Sequence, residues 1–144
     1  MSSQGTILAN LLGIKSRTPE GALALASSVE KGLPVSALDK FAGRISPLDV
    51  RGFAYRVVPK PTLERRRKQK QHLTTDESDR LARVAKVFAL GLEIFRDEAK
   101  VRDFLNRPHP MLDDKVPLEL ALATGPGADA VVNLLGRAAY GGGV

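Results

Sequence analysis

The sequence predicts an all-α protein built as two helical units, residues 1–72 and residues 73–144. Apolar residues recur at helical spacing in one segment after another, each segment closed by Gly or Pro, and no run alternates Val, Ile or Thr with polar residues as a strand would. Thr74-Thr75-Asp76-Glu77 supplies a capping box with acids in the first turn, so a new helix starts there and the earlier helices form their own unit. With 144 residues and 43% hydrophobic content the chain can bury a core. No apolar run approaches the roughly 20 residues of a membrane span, and no charged-then-apolar leader opens the chain, so a soluble, cytoplasmic protein is expected.

In chain order, Thr6 to Leu12 is a short apolar piece that ends at Gly13. Thr18-Pro19-Glu20 opens a helix to about Lys31, with Ala22, Leu25, Ala26 and Val29 on one face and Gly32 as its stop. Pro34 begins the next, where Val35, Leu38, Phe41 and Ala42 recur at helical spacing as far as Gly43. Each piece is too short to be stable alone and must bury its apolar stripe on a neighbour.

The positive charge is concentrated in one place. Arg51, Arg56, Lys60, Arg65, Arg66, Arg67, Lys68 and Lys70 face Glu64 alone between residues 51 and 73, a net +7 where the whole chain carries +6. Either this is a solvated basic linker or it is a surface for a polyanion, whose condensed counterions are released as Lys and Arg neutralise phosphates. The surrounding residues favour the second. Ser46 as N-cap with Pro47 at the first helical position opens a short helix, Val57 to Lys60 breaks it, and a second, basic helix opens near Pro61 and Thr62. Two short helices joined by a tight turn, the second basic, is the helix-turn-helix plan, in which the second helix lies in the major groove. Lys60, Thr62, Arg65, Arg66, Arg67, Lys68 and Lys70 are the DNA-contact candidates, Thr62 by its place at a helix N-terminus.

The helix opened at Thr74 runs to about Arg96. Leu81, Val84, Ala85, Phe88, Leu92 and Phe95 form one stripe on it, and Val87, Leu90 and Ile94 a second. A helix apolar almost all round is buried on two sides. Self-association through Val87, Leu90 and Ile94 is expected, against the alternative of a bundle that wraps the helix completely. Glu98 to Asn106 gives a further helix, stopped at Arg107-Pro108-His109-Pro110, and Pro117 starts a short one. Thr124-Gly125-Pro126-Gly127 then launches a last helix from Ala128 to about Ala139. Its polar residues Asp129, Asn133, Arg137 and Tyr140 line up on one side and lead into Gly141-Gly142-Gly143-Val144. Such a face is either simply wet or a recognition element.

Catalytic and metal chemistry have little to rest on. The chain has no Cys, and His72 and His109 lack neighbours spaced as ligands. His109, between two prolines, reads as a turn residue, and His72 as a phosphate neighbour or linker residue. Asp113-Asp114, before a Pro-started helix, read as turn and helix-dipole residues. No cofactor, no metal and no enzymatic activity are expected.

The order of motifs resembles the Xre/MbcA/ParS class of bacterial antitoxins. Thr62-Leu63-Glu64-Arg65-Arg66 is similar to that family's basic helix, and Leu73 with Glu77-Ser78-Asp79-Arg80-Leu81-Ala82-Arg83 to the helix that follows. Phe104-Leu105-Asn106-Arg107-Pro108 with Leu112, Pro117-Leu118-Glu119-Leu120, and Leu135-Gly136-Arg137 with Tyr140-Gly141 match the later motifs in order. The resemblance spans about the last 85 residues, and the earlier part matches only in character, as an Xre-like helical DNA-binding unit. The tail after Tyr140-Gly141 departs from the bulkier residues expected there.

The resemblance implies an N-terminal Xre-like helix-turn-helix unit that binds the operon's own promoter, followed by a small C-terminal toxin-binding domain. The partner it implies is a RES-domain toxin, an NAD-consuming enzyme of ADP-ribosyltransferase type, whose NAD cleft is covered by the C-terminal domain and terminus, with Asn133, Arg137, Tyr140, Gly141, Gly142, Gly143 and Val144 as the toxin-binding candidates. A guanidinium such as that of Arg137 suits a diphosphate subsite, and the Tyr140 ring can stack where a base would. The alternative is a stand-alone helix-turn-helix transcription regulator whose C-terminal domain serves dimerisation.

Overall fold

The computed structural model describes residues 4–13 and 21–139, and side chains at 7–13 and 23–139. Among the described residues the chain folds as α1 (Gln4–Leu12), α2 (Gly21–Lys31), α3 (Val35–Ile45), α4 (Val50–Val57), α5 (Lys60–Gln69), α6 (Thr75–Phe95), α7 (Glu98–Asn106), α8 (Pro117–Ala123) and α9 (Gly125–Ala139). A 3₁₀ turn, Pro110–Leu112, and an isolated bridge between His109 and Lys115 lie between α7 and α8. No described helix is long and apolar enough to cross a membrane.

Most boundaries follow from local chemistry. The capping box at Thr74 is complete: its hydroxyl accepts from the Glu77 amide at 3.1 Å while a Glu77 carboxylate oxygen accepts from the Thr74 amide at 2.9 Å. Gly32 ends α2 with φ at 90°, and a Cβ there would strike the carbonyl oxygen of Leu73, so only glycine serves the turn and the close approach together. Asp97 opens α7 by accepting from the amides of Ala99 and Lys100. Asp113 and Asp114 stand in left-handed conformations, φ 54° and 59°, as turn residues.

Two starts differ from the sequence expectation. Helix α4 begins at Val50, not at Pro47, because Asp49 is the residue whose carboxylate accepts from the Gly52 amide at 3.0 Å. Ser46 instead donates to the Asp49 carbonyl oxygen and holds the turn ahead of the helix. Helix α9 begins at Gly125 rather than Ala128: the Thr124 hydroxyl accepts from the Gly127 amide at 2.9 Å, which turns the apparent Gly-Pro-Gly break into a first turn. Proline at the start of a helix wastes no hydrogen bond. The expected opening of α2 at Thr18-Pro19-Glu20 lies outside the described residues.

Helix α6 is the axis of the molecule. It packs on α1, α2, α3 and α4 before it and on α7, α8 and α9 after it. One hydrophobic core therefore runs across residues 72 and 73, from Leu11, Leu38, Phe41, Val57 and Leu63 to Leu81, Phe88, Val101, Leu105, Ala121 and Leu135. Phe41 is its centre, edge-on to Phe53 at 5.7 Å and to Phe88 at 5.6 Å. Gly91 lets α7 lie close, since a Cβ there would meet Val101 Cγ1 at 2.8 Å.

This wrapping covers part of the second stripe on α6. Val87, expected at a subunit interface, is 1% exposed within the single chain and so is core. Leu90 and Ile94 are half-buried and pack against the same core.

Candidate nucleic-acid interface and partner face

Helix α5 buries a single side chain, Leu63. Helical geometry places residues three, four and seven positions later on the same face. Arg66, Arg67 and Lys70 therefore share the inward side with Leu63, while Pro61, Thr62, Arg65, Lys68 and Gln69 lie on the outward side. Arg65 and Lys68 are exposed and form no ion pair with a described residue, and Thr62 is half-buried beside the first turn. Lys60 at the helix start is exposed, its ammonium 6.0 Å from the centre of the Tyr55 ring. Lys70 closes the helix in a left-handed conformation with φ at 55°, exposed to water.

The two inward arginines are engaged inside the chain. Arg66 donates from Nη2 to Glu77 Oε2 at 3.1 Å and from Nη1 to the His72 carbonyl oxygen at 3.2 Å, with its side chain 12% exposed. Arg67 makes a two-pronged bond to Asp39 of α3, 2.6 Å on each side, and this hydrogen bonding raises its pKa above the ordinary arginine value. The seven DNA-contact candidates thus divide: Lys60, Thr62, Arg65, Lys68 and Lys70 face outward or lie at the ends, whereas Arg66 and Arg67 hold the helix in place. The spacing from Leu63 was the signal in the sequence for that division.

The first turns of α6 organise the helix pair. Residues of its first two turns reach in different directions: Glu77 to Arg66 on α5, Ser78 to the turn between α2 and α3, and Arg80 to the end of α4. Ser78 is fully buried and accepts from the Leu33 amide at 2.8 Å. Arg80 donates to the Val57 carbonyl oxygen at 2.7 Å. Arg83 turns to the other side and donates to the carbonyl oxygens of Ala121 and Leu122 at the end of α8, braced by Asp79 at 2.8 Å. His72 bonds the Gly32 carbonyl oxygen through Nδ1 at 2.9 Å, which ties the connection to the same turn. His109 is half-buried, accepts from the Met111 amide and meets the Phe104 ring edge-on at 6.0 Å.

At the other end of the chain, α9 buries Ala128, Val131, Leu134 and Leu135 against α6 and α8. Its outward side carries Asp129, Val132, Asn133 and Arg137, all exposed. Neither Asn133 nor Arg137 bonds another described residue, so both side chains are available to a partner. Tyr140, Gly141, Gly142, Gly143 and Val144 lie outside the described residues.

The model of the antitoxin Xre-like helix-turn-helix domain matches residues 24–86. The model of the antitoxin Xre/MbcA/ParS C-terminal toxin-binding domain matches residues 90–141. The chain belongs to the Xre/MbcA/ParS antitoxin family. The first matched stretch holds most of α2, then α3, α4, α5 and the first half of α6, and the second holds the end of α6 with α7, α8 and α9. The chain is also similar to antitoxin Xre of Pseudomonas putida (strain KT2440), 33% identical over 88 residues, which is 61% of this chain and 55% of that relative. The matched stretch therefore spans about half the length of the curated relative.

Proposed function

We propose that this chain is a non-enzymatic antitoxin of the cytoplasm with two macromolecular partners. Helix α5 reads operator DNA upstream of its own gene, and α9 with the segment that follows it neutralises a RES-domain toxin by covering its NAD-binding cleft. The observation that carries the reading is the free polar face of α9 within the stretch matched by the toxin-binding domain: Asn133 and Arg137 are held outward by a buried Leu134-Leu135 pair and are committed to nothing else in the described chain. A guanidinium free of intramolecular partners suits a diphosphate subsite, because its planar fork binds phosphate oxygens in pairs. On the nucleic-acid side, Arg65 and Lys68 supply charge on the outward face of a helix fixed by its neighbours, as groove binding requires.

The decisive assay is NAD consumption by purified toxin, titrated with the intact chain, with Arg137→Ala and with a variant lacking Tyr140 to Val144. Intact protein should stop consumption, and the shortened variant, which loses no residue of the observed core, should leave most of it running. Equal inhibition by both would move the inhibitory surface to the body of α7–α9. Absence of inhibition by the intact chain would overturn the toxin assignment.

A further inference from the structure

We propose that Glu77 is a positioning residue for the DNA-reading helix, acting through Arg66; the inference rests on the reading of α5 as a nucleic-acid interface. The Glu77 carboxylate serves two helices at once. Oε1 accepts from the Thr74 amide at 2.9 Å and completes the cap of α6, and Oε2 accepts from Arg66 at 3.1 Å. Both side chains are largely withdrawn from water, 12% and 13% exposed, and Arg66 Nε has no hydrogen-bond partner among the described residues.

The need for such a residue follows from how little else holds α5. With one buried side chain, Leu63, α5 relies on its other inward residues to set its roll, and roll decides whether Arg65 and Lys68 point outward or sideways. Arg66, one turn beyond Leu63 on the same face, gives the second anchor, and Glu77 receives it. The Arg67–Asp39 pair is a weaker restraint, because its side chains are 45% and 43% exposed and water screens it. Ser78 and Arg80 fix the α2–α3 turn and α4 from the same two turns of α6, so the register of the helix pair is set from the start of α6. A carboxylate close to a face that meets phosphates opposes binding by simple Coulomb repulsion. Its role there is geometric, and this gives the test its sign.

Glu77→Gln is the informative variant, since glutamine at this position keeps the capping box while removing the charge opposite Arg66. The probe is an end-labelled duplex spanning the DNA immediately upstream of the gene, with a scrambled duplex as control, assayed where every variant is fully helical by circular dichroism. Glu77→Gln should bind the upstream duplex about tenfold more weakly, although the protein has lost a negative charge. Arg66→Gln and the double variant should fall to the same level, because the two residues act as one unit. Glu77→Gln binding as tightly as the unaltered protein, or more tightly, overturns the proposal, as does an Arg66→Gln variant whose salt dependence flattens by about 0.9 in log–log slope, the mark of a direct phosphate contact. If Glu77→Gln does not fold, Glu77→Asp, which keeps the charge but cannot span both partners, should weaken binding, and unchanged binding would overturn the proposal equally. Failure of the unaltered protein to retard the upstream duplex overturns the DNA reading itself, an outcome seen before any residue is changed.

Discussion

Arg80 of α6 donates to the carbonyl oxygen of Val57 at 2.7 Å and thereby closes the open end of α4, the first helix of the helix-turn-helix pair. The last carbonyls of a helix have no partner within it, and a cation placed there both bonds one and meets the negative end of the helix dipole. Arg80→Ala should lower unfolding free energy by about 1–3 kcal/mol, the usual worth of a charge-assisted bond to a partly buried group. Urea denaturation measures it, and Arg80→Lys should restore part of the loss.

Ser78→Ala tests the neighbouring contact. The Leu33 amide would keep its burial and lose its acceptor, at a cost of about 1–3 kcal/mol. Amide exchange at Leu33 should quicken more than at Phe41 in the core centre; equal change at both would mean that the contact is not local.

Val87→Asp distinguishes core from interface. Because Val87 is 1% exposed within the chain, the substitution should abolish cooperative unfolding rather than release folded subunits, an unpaired carboxylate in such a site costing several kcal/mol, roughly. A folded protein of reduced size in light scattering would contradict the placement.

On α5 the outward cations should behave differently from the inward ones. Replacing Arg65 and Lys68 together by Ala should flatten the log-affinity against log-salt slope by about 1.8, two phosphate contacts at about 0.9 each. The same measurement on Arg66→Gln should leave the slope in place while affinity falls.

The tie between α3 and α7 predicts an acid response. Glu98 accepts from Arg44 at 2.9 Å through both oxygens, and that hydrogen bonding holds its carboxyl below the ordinary value. A carboxyl whose folded pKa is depressed contributes stability above its unfolded pKa and loses it as pH falls through the folded one. The side chains are 39% and 36% exposed, so screening limits the contribution to less than about 1 kcal/mol. Arg44→Gln should make stability less sensitive to acidification below the carboxylate range, measured as urea midpoint against pH.

The elements legible in the sequence were those with local signals. The capping box at Thr74, the Gly32 stop and the basic helix each announce themselves within four residues, because caps and turns are local chemistry. What was hidden is what depends on chain folding back on itself. Asp39 finds Arg67 from 28 positions away, and nothing near either residue marks the pair. Ser46 and Asp49 are both good caps by type, and only the direction of the chain entering α4 decides between them. The second stripe on α6 is visible, but whether the rest of this chain or another molecule covers Val87 is a question of tertiary topology, which periodicity does not carry. The outward and inward sides of α5 were within reach of a helical projection from Leu63.

The placement of α6 bears on how such proteins are recombined. Thr75–Phe95 packs against the helices before it and those after it, so a chimaera joined at residues 72 and 73 would set one parent's Phe41 against the other parent's Phe88. Grafts that carry the whole of α6 with either flank still have to match the opposite flank, whereas substitutions at Asp129, Val132, Asn133 and Arg137 alter the outer surface of α9 without touching the shared core. Point changes on that one exposed helix thus alter its surface chemistry with less disturbance of the shared core than an exchange of domains.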